Sequence, residues 1–288
     1  MKLKKMKFKV VMFIILNMVL FSACNDTEIK PSGQGNTSHR SQIVPYPLPL
    51  PDLKIEERNT FRVSGGKWQK LPGCAKDIAI GSVGDIAAIG CNGKVYRWVN
   101  NDWQEDASSQ NASSITVDSW GRIFVTNDSK EIWFRDNPNT GNNGWKKLAG
   151  KALDIEVSAN GDLYCVGTNH KVFKYDYYSD KWTEVPGSSS VSRITVDYSG
   201  APIISNSSDR VWKYQSSRWE HLGGRVEDIA ANRTELFATG TNGKVYWFDF
   251  FKNDWVEVAG AQKAEQIAVY TNDSPWVIVD GGTIYRYQ

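Results

Sequence analysis

The chain has 288 residues, 41% of them hydrophobic, with 12 Trp, 12 Tyr, 11 Phe and 24 Gly. That is enough apolar mass for a sizeable core, broken by turn formers into many short segments, and it excludes a disordered or long-helical chain. The formal charge is +2 and the one dense run of Lys lies in the first nine residues, so there is no electrostatic basis for binding nucleic acid.

In chain order, Lys2, Lys4, Lys5, Lys7 and Lys9 precede an apolar run from Val10 to Phe21 that is short for a bilayer span. The sequence Leu20, Phe21, Ser22, Ala23, Cys24 resembles a bacterial lipoprotein signal, with Phe21 where an aliphatic residue is usual. The expectation is a signal peptide over 1–23 and lipidation of Cys24, or else an ordinary secretory signal with an incidental cysteine. Removing 1–23 removes five Lys and no acid, which takes the formal charge from +2 to −3. Asp26 and Glu28 resemble a surface-export signal, so the expected location is the outer membrane or the cell surface. Residues 24–52 are polar and then proline-spaced at Pro45, Pro47, Pro49 and Pro51, a pattern that blocks helix and sheet pairing and reads as an extended tether.

From 53 to 288 the chain is repetitive. Copies open at Trp68, Trp103, Trp145, Trp182, Trp219 and Trp255, at spacings of 35, 42, 37, 37 and 36, the long interval containing the insertion NPNTGNNG at 137–144. Each copy alternates apolar and polar residues in short runs, with turns such as Asn92-Gly93 and Asn242-Gly243 between the second and third. This predicts an all-β, six-bladed propeller of four-stranded antiparallel blades. The chain ends one strand short of a sixth blade, so Lys67 to Leu71 is expected to supply that blade's outer strand and close the ring. The distance from each opening Trp to the first apolar residue of the next strand alternates, 10 to Ile78, 12 to Ile115, 10 to Ile155, 12 to Ile194, 10 to Ile229 and 12 to Ile267. The alternation suggests three copies of a two-blade module, with longer loops recurring every second blade.

The segments WQKLPGCAKDIAIGSVGDIAAIGCNGKVYRW, WKKLAGKALDIEVSANGDLYCVGTNHKVFKY and WEHLGGRVEDIAANRTELFATGTNGKVYWF resemble the tectonin repeat of tectonin, fish-egg-lectin and tachylectin-1 type proteins. The resemblance spans 66–288. It implies the same six-bladed propeller and carbohydrate recognition, and it transfers no ligand residue, because the shared positions are framework.

No convergent catalytic set is visible. His39, His170 and His221 have no Cys or carboxylate at metal-ligand spacing, so no metal, cofactor or enzymatic activity is expected. TVDSWGRIF and TVDYSGAPI miss the spacing of a sialidase Asp-box by one residue. Asp77, Asp154 and Asp228 recur at one position of the innermost strand, which argues for acceptors of backbone hydrogen bonds. The opening Trp residues, with Tyr96, Trp133, Phe173, Trp212, Tyr246 and Tyr285, are expected to pack between sheets. Trp120 and Tyr198 fall in turns between first and second strands, and Tyr177, Tyr178, Phe250 and Phe251 in loops between third and fourth. Those two loop classes emerge on one face of a propeller. Trp120, Tyr198, Tyr178 and Phe251, flanked by Asp118 and Asp197, are therefore the candidate ligand platform, with the Asn-rich opposite face as its competitor. Cys74 and Cys91 both fall on that opposite face and could form a disulfide, whereas Cys165 reads as a small buried apolar residue. The expected protein is a membrane-anchored monomer that binds a glycan or polysaccharide; a protein-interaction scaffold in an envelope complex is the alternative.

Overall fold

The computed structural model describes residues 66–106, 111–136, 144–232, 235–261, 263–270 and 274–288. The signal segment, Cys24, the proline-spaced tether and most of the 137–144 insertion lie outside the described residues. Among those described there is no α-helix, only a single 3-10 turn at Asp280–Gly282. The strands run in six groups. β1 (Trp68–Lys70) precedes blade 1, made of β2 (Ala75–Ile80), β3 (Ile86–Gly90), β4 (Val95–Val99) and β5 (Asp102–Glu105). Blades 2 and 3 are β6 (Ala112–Val117), β7 (Ile123–Asn127), β8 (Glu131–Arg135), β9 (Trp145–Val157), β10 (Leu163–Gly167), β11 (Val172–Asp176) and β12 (Lys181–Glu184). Blade 4 is β13 (Val191–Val196), β14 (Pro202–Asn206), β15 (Val211–Gln215) and β16 (Arg218–Gly223). Blade 5 is β17 (Val226–Ala231), β18 (Leu236–Gly240), β19 (Val245–Asp249) and β20 (Asp254–Val258), and blade 6 is β21 (Ala264–Val269), β22 (Pro275–Val279) and β23 (Thr283–Tyr287).

The innermost strands touch in cyclic order β2, β6, β9, β13, β17, β21 and back to β2, so the sheets close into a ring. Closure uses β1 as the outer strand of blade 6, with Trp68 opposite Tyr287 and Lys70 opposite Tyr285. Lys67 N donates to Gln288 O at 2.7 Å and Leu71 N to Ile284 O at 2.9 Å, which extends the pairing at both ends. An otherwise open sheet edge is thereby covered. One departure from separate four-stranded blades is β9, which serves as the outer strand of blade 2 and then the inner strand of blade 3, so these blades form one seven-stranded sheet. The strand stays paired through the connector Ala149-Gly150-Lys151, with Lys151 still opposite Glu131.

The core is distributed. Six buried clusters each straddle two neighbouring blades; one joins Ala79, Ile89 and Val95 of blade 1 to Ile115, Ile123 and Val125 of blade 2. Cys165 belongs to the cluster between blades 2 and 3, and burial pushes its thiol pKa up. The repeat signature explains how the layers are tied. Trp103 Nε1 donates to Pro72 O at 3.0 Å, Trp182 to Ala149 O at 2.7 Å, Trp219 to Pro186 O at 3.0 Å and Trp68 to Ala259 O at 2.9 Å. Each indole so clips its blade's outer strand to the connector that enters the same blade. The Gly closing each W-x-x-(L/V)-x-G motif sits at positive φ with that indole where a Cβ would point, as at Gly187 with φ +79° and Trp219 3.4 Å away. Gly187→Ala is therefore expected to cost about 1 kcal/mol, mostly as left-handed backbone strain. A urea-unfolding midpoint equal to wild type would contradict this.

Candidate functional site

The channel along the ring axis is lined by the repeated aspartates Asp77, Asp154 and Asp228. A β-bulge at the start of every innermost strand re-aims the next side chain toward the axis. At that position stand Asp77, Ser114, Asp154, Arg193, Asp228 and Gln266 in blade order. Asp77 accepts from Ile78 N at 2.8 Å and, across the blade junction, from Ile115 N at 3.0 Å. Asp154 accepts from Ile155 N at 3.0 Å, Ile194 N at 2.9 Å and Ser114 Oγ at 2.6 Å, and Asp228 from Ile267 N at 2.9 Å. Each aspartate stitches an odd blade to the even blade that follows. The stitches therefore share the two-blade period of the alternating count.

Glu156 adds a fourth carboxylate, against which Arg193 is the one cation lining the channel among the described residues. Burial, then the neighbouring carboxylates, push Asp77 up to about 8 against the partial relief of Arg193. Burial also lifts Asp228 to about 6 and raises Glu156 well above the ordinary range. The channel holds two small cavities of about 50 and 40 Å³, several-fold below the roughly 300–1,000 Å³ of ligand pockets. It is a packed axis rather than a sugar site.

The Asn-rich face is likewise committed internally. Asn92 Oδ1 accepts from Lys94 N at 3.1 Å while its Nδ2 donates to Tyr96 Oη at 2.8 Å, and Asn242 repeats this with Lys244 and Tyr246. Lys94 and Lys244 in turn pair with Glu105 and Glu257 on the outer strands, each at 2.7 Å.

The other face differs in kind. Every large hydrophobic residue exposed among the described residues, namely Val83, Val99, Trp120, Tyr177, Tyr178, Tyr198, Phe250 and Phe251, lies in or at the edge of a first-to-second or third-to-fourth strand connection and hence on this one face. Asp118 is buried beneath it; its Oδ1 accepts from Trp120 N at 2.9 Å and Arg122 N at 2.8 Å, and its Oδ2 from Arg122 Nε at 2.5 Å. That clasp places the Arg122 guanidinium 5.2 Å from the Trp120 ring centroid. The indole reaches over Gly161 of the next blade, where a Cβ would come within 2.8 Å, yet 59% of Trp120 stays exposed.

Two blades on, Asp197 accepts from Ser199 Oγ at 2.6 Å, Ala201 N at 3.0 Å and Lys213 Nζ at 2.7 Å. Partial burial opposes ionisation there, but Lys213 and the other donors hold the carboxyl below its usual range. Lys213 Nζ also lies 5.4 Å from the Phe250 ring. The loops Asp176-Tyr177-Tyr178 and Asp249-Phe250-Phe251 are equivalent, each Asp accepting from the N–H two residues on at 2.9 or 3.0 Å. This leaves Tyr178 fully exposed and Phe251 83% exposed.

Beside Tyr178 opens a cleft of about 480 Å³ between blades 3 and 4, within the size range of ligand pockets. Exposed Tyr177 and Tyr178 and half-buried Tyr214 line it, with Tyr164 and Tyr175 buried in its walls. Lys174 supplies a charged edge, with Nζ 2.9 Å from Asp162 Oδ2 and 5.4 Å from the Tyr164 ring.

The sequence profile of the tectonin domain matches residues 55–217 and 111–288, together spanning all six copies. The chain belongs to the tectonin family. A solved streptogramin B lyase is 12% identical and superposes with a TM-score of 0.55 over 77% of this chain and 97% of the other. A structural-genomics protein of unknown function from Bacteroides thetaiotaomicron VPI-5482, also 12% identical, superposes at 0.60 over 77% of this chain and 75% of its own. At that identity both likenesses speak to the fold alone. No curated sequence matches significantly.

In this tectonin propeller the residues that define the repeat are thus framework, and the candidate site is made of what varies between copies. Of the six platform residues read from sequence, Trp120 and Asp118 sit together at the junction of blades 2 and 3, while Tyr198 and Asp197 lie near the channel mouth. Tyr178 borders the cleft and Phe251 stands alone on blade 5. Sequence reasoning did not single out Arg122, Lys174, Lys213, Tyr164, Tyr175 or Tyr214. The available signal was the concentration of tyrosine in copies three and four.

Proposed function

We propose that this tectonin propeller is a membrane-anchored, non-catalytic carbohydrate-binding protein, exported and held at the outer membrane or cell surface through Cys24. The observation that carries the binding reading is the tyrosine-lined cleft between blades 3 and 4, continuous with exposed Tyr178. Tyrosine faces suit the apolar side of a pyranose, and Asp176, Asp162 and Lys174 stand within the same walls for its hydroxyls. The non-catalytic reading is supported by the channel carboxylates, whose oxygens are taken up by backbone N–H groups. A second reading, a protein-interaction scaffold, is favoured by the confinement of the exposed hydrophobic residues to one face.

The test is a glycan array including bacterial polysaccharides, probed with the non-lipidated Cys24→Ala chain and with its Tyr178→Ala and Tyr214→Ala derivatives. Saturable binding to one glycan family, weakened about tenfold or more by either substitution and without a change in melting temperature for that of the fully exposed Tyr178, is the expected outcome. Silence on every glycan, with co-purification of one envelope protein, would instead establish the scaffold.

A further inference from the structure

The aromatic face has a second property that sugar recognition does not explain. Its most prominent side chains, Val83, Trp120, Tyr178 and Phe251, project from separate loops of blades 1, 2, 3 and 5 instead of converging on one pocket. The described chain also enters the fold on this side. β1 runs antiparallel to β23, and Trp68 is paired with Tyr287 at the end of β23 that points to the third-to-fourth strand connections. The 65 residues that precede Gly66, with the apolar run Val10–Phe21 and Cys24 among them, therefore join the propeller at the aromatic face.

We infer that this face rests on a lipid bilayer, with Trp120, Tyr178 and Phe251 seated in the interfacial region of the membrane. Amphipathic and aromatic rings favour that depth, where one edge is apolar and the other wet. The local charge selects the kind of surface. Asp176 and Asp180 stand beside Lys181, and Asp249 and Asp254 beside Lys252, so the loops carry no cationic excess to attract anionic lipid. Adhesion comes from apolar burial, depends little on ionic strength, and suits zwitterionic headgroups. Tyr178 belongs to both surfaces, but Trp120 and Phe251 lie outside the glycan cleft, so either property can hold without the other.

The experiment is co-sedimentation of the full mature chain carrying Cys24→Ala, so that no lipid is attached, with phosphatidylcholine–phosphatidylethanolamine vesicles free of glycolipid. Saturable partition, little changed between about 50 mM and 500 mM salt and reduced about tenfold or more in Trp120→Ala/Tyr178→Ala/Phe251→Ala, is the expected result. Because all three side chains are exposed, an unchanged melting temperature accompanies the loss and separates it from misfolding. No partition at millimolar lipid overturns the inference, as does equal partition of the triple variant. Binding confined to vesicles that carry a glycolipid also overturns it, and leaves the glycan reading intact.

Discussion

A urea-unfolding series from pH 5 to pH 9 is expected to show stability falling as the solution becomes more alkaline, with most of the loss complete by about pH 8. The cause is Asp77. Its carboxyl titrates at about 8 in the folded ring against 3.8 for an ordinary aspartate, so the folded state holds a proton that the unfolded chain releases. A group whose pKa is raised by folding stabilises fully below its unfolded value, and that contribution is lost as pH rises to the folded value. For Asp77 the window runs from about pH 4 to about 8; for Asp228 it closes near 6. The groups facing Asp77 across the channel are Asp154, Glu156, Arg193 and Asp228, and they leave a negative excess once all are ionised. Each tenfold change in proton affinity is worth roughly 1.4 kcal/mol, and after a discount for water in the channel the loss is on the order of 2–4 kcal/mol. Asp77→Asn keeps one acceptor of two, so it is expected to be about 1 kcal/mol less stable than wild type at pH 5. It should become the more stable protein near pH 9. Parallel profiles for the two proteins would place the proton elsewhere.

Removing the bond between Cys74 and Cys91 is the second large effect. These residues are joined by a disulfide with Cα atoms 5.5 Å apart, closing a separation of 17 residues, for which chain entropy gives about 3 kcal/mol. Its position makes the loss specific. Cys74 lies between β1, which completes blade 6, and β2, which begins blade 1, while Gly282 of blade 6 packs against both sulfurs, so closely that a Cβ there would sit 2.6 Å from Cys74 Sγ. The bond is a clasp over the seam of the ring. Cys74→Ala/Cys91→Ala, or reductant on the wild type, is expected to lower the urea midpoint and to raise amide exchange first in β1 and β23. Faster exchange spread evenly over the six blades would show that the seam is not the weak point.

Framework features were legible because they are local and repeated. The Trp clip beside its Gly, the Asn-Gly turn with its Tyr partner and the recurrent Asp each return at a regular spacing along the chain, so the spacing itself exposes their role. The closing strand was legible for a different reason, since a missing fourth strand at one end and a spare one at the other have one economical solution. The binding face was only half legible. Trp120 and Tyr178 are where turn position put them, but Asp118 looks like an available acceptor in sequence and is in fact buried under Arg122. The cleft was not legible at all. Tyr164, Tyr175 and Tyr214 sit on strands, where alternation predicts packing, and nothing local encodes the gap that opens between two neighbouring sheets.

The stitches along the axis also limit how such a ring can change in size. Every odd blade lends a carboxylate to the backbone of the even blade after it, and every even blade arrives with an N–H that needs one. Excising one blade would set two aspartates side by side or strand a buried N–H, whereas excising two adjacent blades leaves every donor matched. The smallest set of blades that can be removed without leaving an unmatched donor is thus the adjacent pair.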